Sequence, residues 1–134
     1  MKIDGGCHCG KITFTADVDP ETVTICHCTD CQNLTGSPYR VVVPAPKETF
    51  RLSGNVKSYV KKTAESGTPR VQAFCPECGT PIYSTGLTDQ RFYGLRLGTV
   101  RQRAELKPKK QIWCRSALGW AMDLAALPRA AKQS

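Results

Sequence analysis

Seven of the chain's eight cysteines stand in three short clusters, Cys7-His8-Cys9, Cys26-His27-Cys28-Thr29-Asp30-Cys31 and Cys75-Pro76-Glu77-Cys78. Thiols one or two residues apart do not readily close a disulfide with each other, but their sulfurs can converge on one metal ion. Zinc is the ion this chemistry selects, because it takes soft sulfur donors in tetrahedral geometry and has no redox chemistry of its own. One CxxC pair would carry little weight. Three clusters within 134 residues predict a metal-binding protein.

The spacings say how the sulfurs can be shared. In extended chain, residues i and i+2 point to the same side, so Cys7 and Cys9 project together and His8 points away. The same alternation sets His27 apart from Cys26 and Cys28, and neither histidine is expected to be a ligand. Cys75-Pro76-Glu77-Cys78-Gly79 reads as a zinc knuckle: Pro76 fixes the turn after the first sulfur, and Gly79 lets the backbone fold under the ion. Joined to Cys7 and Cys9, it would make a four-sulfur site linking distant strands. Cys26, Cys28 and Cys31 then form a second group. Cys114 can complete that group, giving two closed structural sites. Alternatively the group stays at three sulfurs with a fourth position for water or substrate, as in catalytic zinc sites. Spacing also allows other partitions, such as Cys7, Cys9, Cys26 and Cys28 around one ion.

The elements that must position these sulfurs are mostly strands. Period-2 alternation places Ile12, Phe14 and Ala16 of Lys11–Asp17 on one face. Tyr39–Val43 is rich in β-branched residues and is predicted to stop at Pro44 and Pro46. Phe50–Leu52 and Val56–Val60 flank Ser53-Gly54-Asn55 and predict a hairpin turning at Gly54. Further strands are expected at Arg70–Phe74, Pro81–Ser84, Arg91–Leu97 and Gln111–Cys114. Helix is confined to a turn or two at Thr29–Leu34, closed by Gly36, and a second piece at Leu118–Leu127 before Pro128. The chain shows no repeat and no linker, which predicts a single domain over residues 1–134 with a loose tail at 129–134.

No apolar run approaches the length of a membrane span. The stretch from Met1 to Gly6 lacks a signal-peptide hydrophobic core, so a cytoplasmic location is expected, where reduced thiols favour metal over disulfide. The formal charge is +8 with neutral cysteines. Zinc ligands are deprotonated, so seven thiolates (−7) and two divalent ions (+4) change it by −3, to about +5. Much of the remainder lies in Arg101, Arg103, Lys107, Lys109, Lys110, Arg129 and Lys132. No aromatic residues interleave with these charges to stack on bases, which disfavours nucleic acid as a partner.

Three ordered motifs resemble the glutathione-dependent formaldehyde-activating enzyme family, to which centromere protein V also belongs. They are Gly6-Cys7-His8-Cys9-Gly10, then Cys26-His27-Cys28-Thr29-Asp30-Cys31-Gln32 with Gly36-Ser37-Pro38, then Phe74-Cys75-Pro76-Glu77-Cys78-Gly79-Thr80. The resemblance runs from Gly6 to about Pro128. It implies a β-tent fold, mostly β, of antiparallel sheets with short helical turns organised around zinc. It implies two zinc ions per chain: a structural one on Cys7, Cys9, Cys75 and Cys78, and an open one on Cys26, Cys28 and Cys31. Cys114 matches no motif position and is expected to be a small buried residue beside Trp113. One departure is Gly98-Thr99-Val100-Arg101, where many relatives carry an acidic residue in place of the arginine.

The family reaction joins glutathione and formaldehyde into S-hydroxymethylglutathione, and in reverse it cleaves a carbon–sulfur bond. A zinc held by three thiolates has a net charge of −1, so it is a weak activator of water and a better binder of an incoming thiol. The resemblance therefore implies a carbon–sulfur lyase whose partner is a small thiol such as glutathione. Weak candidates for contacts to it are backbone donors at Gly36 and Ser37, with Tyr39 and Arg40 meeting an anionic substrate. The alternative is a non-catalytic zinc-stabilised module that binds protein or nucleic acid through its basic edge.

Overall fold

In the computed structural model, which describes residues 1–133, ten strands form two sheets. They are β1 (Lys2–Gly6), β2 (Thr13–Asp17), β3 (Thr24–Cys26), β4 (Arg40–Pro46), β5 (Arg51–Ser53), β6 (Lys57–Lys61), β7 (Arg70–Phe74), β8 (Pro81–Gly86), β9 (Phe92–Arg96) and β10 (Lys110–Ile112). One α-helix, α1 (Thr29–Thr35), and several single 3-10 turns complete the described chain. The small sheet has the order β1-β2-β5, and the large one β10-β3-β4-β9-β8-β7-β6. All pairings are antiparallel except β10 with β3. The fold is mostly β, as the sequence predicts.

The core joins both sheets. Ile3, Phe14 and Ala16 from the small sheet meet Val43, Ala45, Ile82 and Leu95 from the large one, all buried. Phe50 bridges them aromatically, 6.0 Å from Phe14 and 4.9 Å from Tyr93 between ring centroids. Gly5 forms an isolated bridge to Val100, and a Cβ there would collide with the Thr99 carbonyl, so only glycine fits. Alternation divides the large sheet cleanly. Val43 and Ala45 of β4 and Leu95 of β9 face the core, whereas Arg40, Val42 and Pro44 of β4 and Gly94 and Arg96 of β9 line a cavity on the opposite face.

Four expectations need correction. First, β4 continues through Pro44 and Pro46 rather than stopping there. The Lys47 N–H donates to Arg91 O at 2.9 Å, so the odd positions bond to β9 and the two prolines point the other way. On that side β3 has already ended, with Thr24 opposite Val42, and no ladder donor is missed. Second, Arg51–Ser53 and Lys57–Lys61 do not form a hairpin. β5 pairs with β2 and β6 with β7, so Gly54 (φ 103°) is where the chain crosses between sheets. A Cβ on Gly54 would lie 2.5 Å from Lys11 O, the close approach that requires glycine.

Third, Leu118–Leu127 is not a helix. Only Gly119–Met122 makes a 3-10 turn, and Trp120, Met122, Leu124 and Leu127 remain exposed. A short segment that buries only Ala121 lacks the tertiary packing that sustains most helices. Of the expected tail, residues 129–133 are exposed and carry no helix or strand, and residue 134 lies outside the described residues. Fourth, Cys114 is exposed, not buried. No helix among the described residues is long and apolar enough to cross a membrane.

Candidate metal centres and the adjoining cavity

Two groups of sulfurs converge. Cys7, Cys9, Cys75 and Cys78 form one and Cys26, Cys28 and Cys31 the other, and within each the sulfurs all lie within 4.8 Å of one another. Neither histidine joins a group, and Cys114 joins neither. In the first group Cys7 Sγ and Cys9 Sγ are 3.6 Å apart and Cys9 Sγ and Cys75 Sγ 3.8 Å. A tetrahedral ion with metal–sulfur bonds of about 2.3 Å needs sulfur–sulfur edges of about 3.8 Å. The spacing and the all-sulfur donor set fit such an ion, and both groups can hold a metal compatible with zinc.

The first group sits on two turns. Cys7 follows β1 and Cys9 lies in the turn after it, so these sulfurs converge through a turn rather than through the extended geometry expected. Gly10 (φ 83°) closes that turn with an N–H bond to Cys7 O at 3.2 Å. The β7–β8 turn is the anticipated knuckle, with Gly79 (φ 78°) donating to Cys75 O at 2.8 Å. Backbone Ile12 N–H points at Cys7 Sγ at 3.3 Å. Thr80 Oγ1 lies 3.1 Å from Cys78 Sγ, and this contact, with further backbone N–H bonds, draws the Cys78 thiol down to about 5. The group ties the small sheet's end to the large sheet.

The second group is assembled within six residues. Cys26 ends β3, Cys28 caps α1, and Cys31 lies in its first turn. The Cys28 Sγ accepts from Cys31 N at 3.2 Å, placing the thiol at the helix N-terminus where negative charge is favoured. Hydrogen bonding from Cys31 is the largest influence on Cys26, drawing it down to about 5 against the effect of burial, with Cys28 and the Arg40 charge assisting. The same contact pushes the Cys31 thiol up, because one proton serves both sulfurs. His27, between the ligands in sequence, turns into the interior. It is fully buried, 2.7 Å from Gln111 Oε1 and edge-on to Tyr39.

The two groups differ in what they face. All three sulfur-bearing residues of the second group line a cavity of about 410 Å³, with Arg40, Arg70, Gln72, Ser84 and Arg96 on its sheet floor. That volume lies within the range of about 300–1,000 Å³ usual for small-molecule sites. Trp113 lines this cavity and an adjoining one of about 420 Å³ that also reaches Cys28. β10 runs beside β3 with Ile112 opposite Cys26, which delivers Trp113 to the cysteine end. Trp113 has φ 56° and ψ 37°, a left-handed conformation costing a bulky residue on the order of 1–2 kcal/mol, and the Arg115 guanidinium lies 5.0 Å from its ring centre.

Of the weak candidates, Arg40 lines the cavity and is 7% exposed. The Gly36 and Ser37 N–H groups are consumed in capping α1, bonding to Asn33 O and Gln32 O, and both residues line a different depression beside Trp120. Tyr39 packs on His27 instead. Arg70, Gln72, Ser84 and Arg96 were not singled out from the sequence. The available signal was their alternation with apolar Val71, Ala73 and Leu95, which marks a polar sheet face but cannot show that the face is covered.

A crystal structure of a Rhodobacter sphaeroides protein superimposes with a TM-score of 0.61, covering 81% of this chain and 98% of that one at 18% identity, a likeness of fold. An uncharacterised lyase of Schizosaccharomyces pombe is 29% identical over 80 residues, 60% of this chain. The match spans 55% of the yeast protein, so this chain corresponds to about half the length of that relative. The model of the glutathione-dependent formaldehyde-activating enzymes matches residues 2–116, which takes in both sulfur groups and the whole cavity floor. The chain belongs to the glutathione-dependent formaldehyde-activating enzyme family.

Proposed function

We propose that the protein is a zinc-dependent lyase of the carbon–sulfur type, acting on glutathione or a related thiol adduct at Cys26, Cys28 and Cys31. Cys7, Cys9, Cys75 and Cys78 would hold a structural zinc. The observation that carries this reading is the difference between the groups: four sulfurs complete a tetrahedron, whereas three line a cavity of about 410 Å³. When bound at the three thiolates, zinc supplies a soft coordination position at which an incoming thiol loses its proton at neutral pH.

The chain's own residues do the rest. Cys26 and Cys31 are buried at 8% and 7% exposure, while Cys28 is half-buried and lines both cavities, so approach is from its side. The Arg40 charge favours thiolate over thiol at this end of the cavity. Trp113 lines both cavities beside Cys28. In the family reaction, the substrate sulfur bonds to the aldehyde carbon and the thiol proton ends on the aldehyde oxygen. The reverse breaks the carbon–sulfur bond and returns the proton to sulfur. The yeast relative's description as a lyase agrees with that direction. A binding module acting through the basic edge finds less support, since Arg101 pairs with Asp4 at 2.8 Å and Lys109 with Glu21 at 3.7 Å.

The test is spectroscopic. In cobalt-substituted protein, glutathione is expected to shift the thiolate-to-cobalt charge-transfer bands, and the shift should vanish in Cys28→Ser. Bands indifferent to glutathione and to its formaldehyde adduct would sink the proposal.

A further inference from the structure

Arg40, Arg70 and Arg96 converge on the cavity floor without a carboxylate to receive them. Arg40 Nη1 and Arg96 Nη2 both donate to the single oxygen Gln72 Oε1, at 3.2 and 2.6 Å, and Arg70 Nη2 donates to Ser84 Oγ at 3.0 Å. Each guanidinium carries five N–H donors. The Nε atoms of Arg40 and Arg96 are buried with no partner at all. Among the described residues, none of the three arginines forms an ion pair. Buried charge without a partner is costly, and buried donors are ordinarily satisfied, so such a cluster marks a place where a ligand completes the bonding.

The other charges around the cavity do not settle the account. Lys61 is paired with Asp30 at 3.2 Å. Asp89 is gripped by Arg91 through both carboxylate oxygens, at 2.9 and 2.8 Å, and reaches Arg70 only as a more distant favourable charge. Three thiolates with one divalent ion leave a single negative charge against three guanidiniums. Two positive charges remain over. Because Asp89 is already engaged, the lining also offers no free carboxylate to an ammonium group.

We infer that Arg40, Arg70 and Arg96 form a subsite for a compact dianion, a phosphate or a pair of nearby carboxylates, carried on a small molecule without a neighbouring ammonium. Planar N–H forks suit such oxygens. This narrows the substrate class within the proposed thiol chemistry and rests on that reading for the ligand's sulfur end and for the charge count. Glutathione fits the subsite less well, since its carboxylates lie at opposite ends and one sits beside an ammonium.

Calorimetric titration of the metal-loaded protein with inorganic phosphate and with succinate, at constant ionic strength, tests it. Saturable binding of at least one is expected, weakened at least tenfold in Arg70→Gln and Arg40→Gln. Arg101→Gln, on the paired outer edge, should leave the affinity unchanged. Arg70 is only half-buried, so its variant keeps the test alive if Arg40→Gln fails to fold. Affinity in Arg70→Gln within twofold of wild type, or no saturable heat with either anion, overturns the subsite. So does binding lost in Cys28→Ser but kept in Arg70→Gln, which would put the anion on the metal. If phosphate or succinate binds at the arginines while the cobalt bands ignore thiols, the subsite stands and the thiol-adduct reading falls.

Discussion

Arg40 stands directly opposite Cys26 in the β3–β4 ladder, and the two residues line one cavity. A thiol that begins a sulfur cluster and a guanidinium that begins a basic floor are thus cross-strand neighbours. Their side chains share a face because ladder partners do. The juxtaposition makes the cysteine end and the anion-binding floor one site rather than two. After the hydrogen bond from Cys31, which is the largest influence, the Arg40 charge also helps to hold Cys26 toward its charged form.

The two sulfur groups should respond differently to loss of one member. Cys9 and Cys75 are 66 residues apart, so metal at the first group closes a long loop and joins the two sheets. A covalent cross-link over that span would be worth on the order of 4 kcal/mol in loop-closure entropy. Cys75→Ser is expected to lose one metal equivalent and to unfold or melt far below wild type. Cys28→Ser should lose the other equivalent with a much smaller change in melting, because its ligands span only residues 26–31. Metal analysis and thermal melts on both variants check this. Equal damage from both would remove the distinction between a fold-holding group and a substrate-facing one.

That the cysteines cluster was readable because spacing is a local property of the chain. Spacing left several partitions open, however, and the grouping of Cys7 and Cys9 with Cys75 and Cys78 was implied only by the family resemblance. Strand identity was readable because alternation is local too: Ile12, Phe14 and Ala16 alternate and all are buried. What escaped was set by pairing. The Gly54 turn looks like a hairpin, yet β5 and β6 find partners in different sheets. Pro44 and Pro46 look like terminators, yet both face a side with no neighbouring strand. The arginines escaped for a related reason. Arg40, Gln72 and Arg96 read as an exposed polar face until Asp89, Arg91 and Trp113 are seen to wall it.

Cys114 should prove dispensable for metal binding. It is exposed, begins a 3-10 turn after the strained Trp113, and lies in neither sulfur group. Cys114→Ser is expected to keep two metal equivalents and wild-type melting within about 0.5 kcal/mol, the usual scale for surface changes. Loss of one equivalent would mean the second group is closed by a fourth sulfur, and the cavity-facing position would disappear with it.

His27 is expected to act on the fold and not on the metal. Its ring is fully buried with Nε2 donating to Gln111 Oε1, and its backbone carbonyl accepts from Gln32 Nε2 at 2.9 Å, fixing the turn between Cys26 and Cys28. His27→Ala leaves a void and an unpaired Gln111 and should cost on the order of 2–4 kcal/mol. At saturating metal the variant should still bind two equivalents. A variant of near-normal stability that lacks the second equivalent would instead identify His27 as a ligand.

The departure at Arg101 has a structural counterpart that pH can expose. Arg101 Nη2 donates to Asp4 Oδ1 at 2.8 Å and Gln102 Nε2 to the same oxygen at 2.6 Å, joining β1 to the segment after β9. The Arg101 hydrogen bonds first, and Gln102 second, hold the Asp4 carboxyl below its ordinary value of 3.8. A carboxylate with a lowered folded pKa contributes stability that is fully present above the unfolded value and is lost as pH falls through the folded one. Asp4→Asn should therefore melt lower than wild type from pH 5 to 7, by a small amount because both partners are solvent-exposed. Below about pH 3.8 the gap should narrow toward zero, since protonated Asp4 resembles asparagine. Metal release on acidification destabilises both proteins alike and leaves the difference interpretable. A gap that stays constant into acid would assign the loss to hydrogen-bond geometry alone and not to the charge that Arg101 meets.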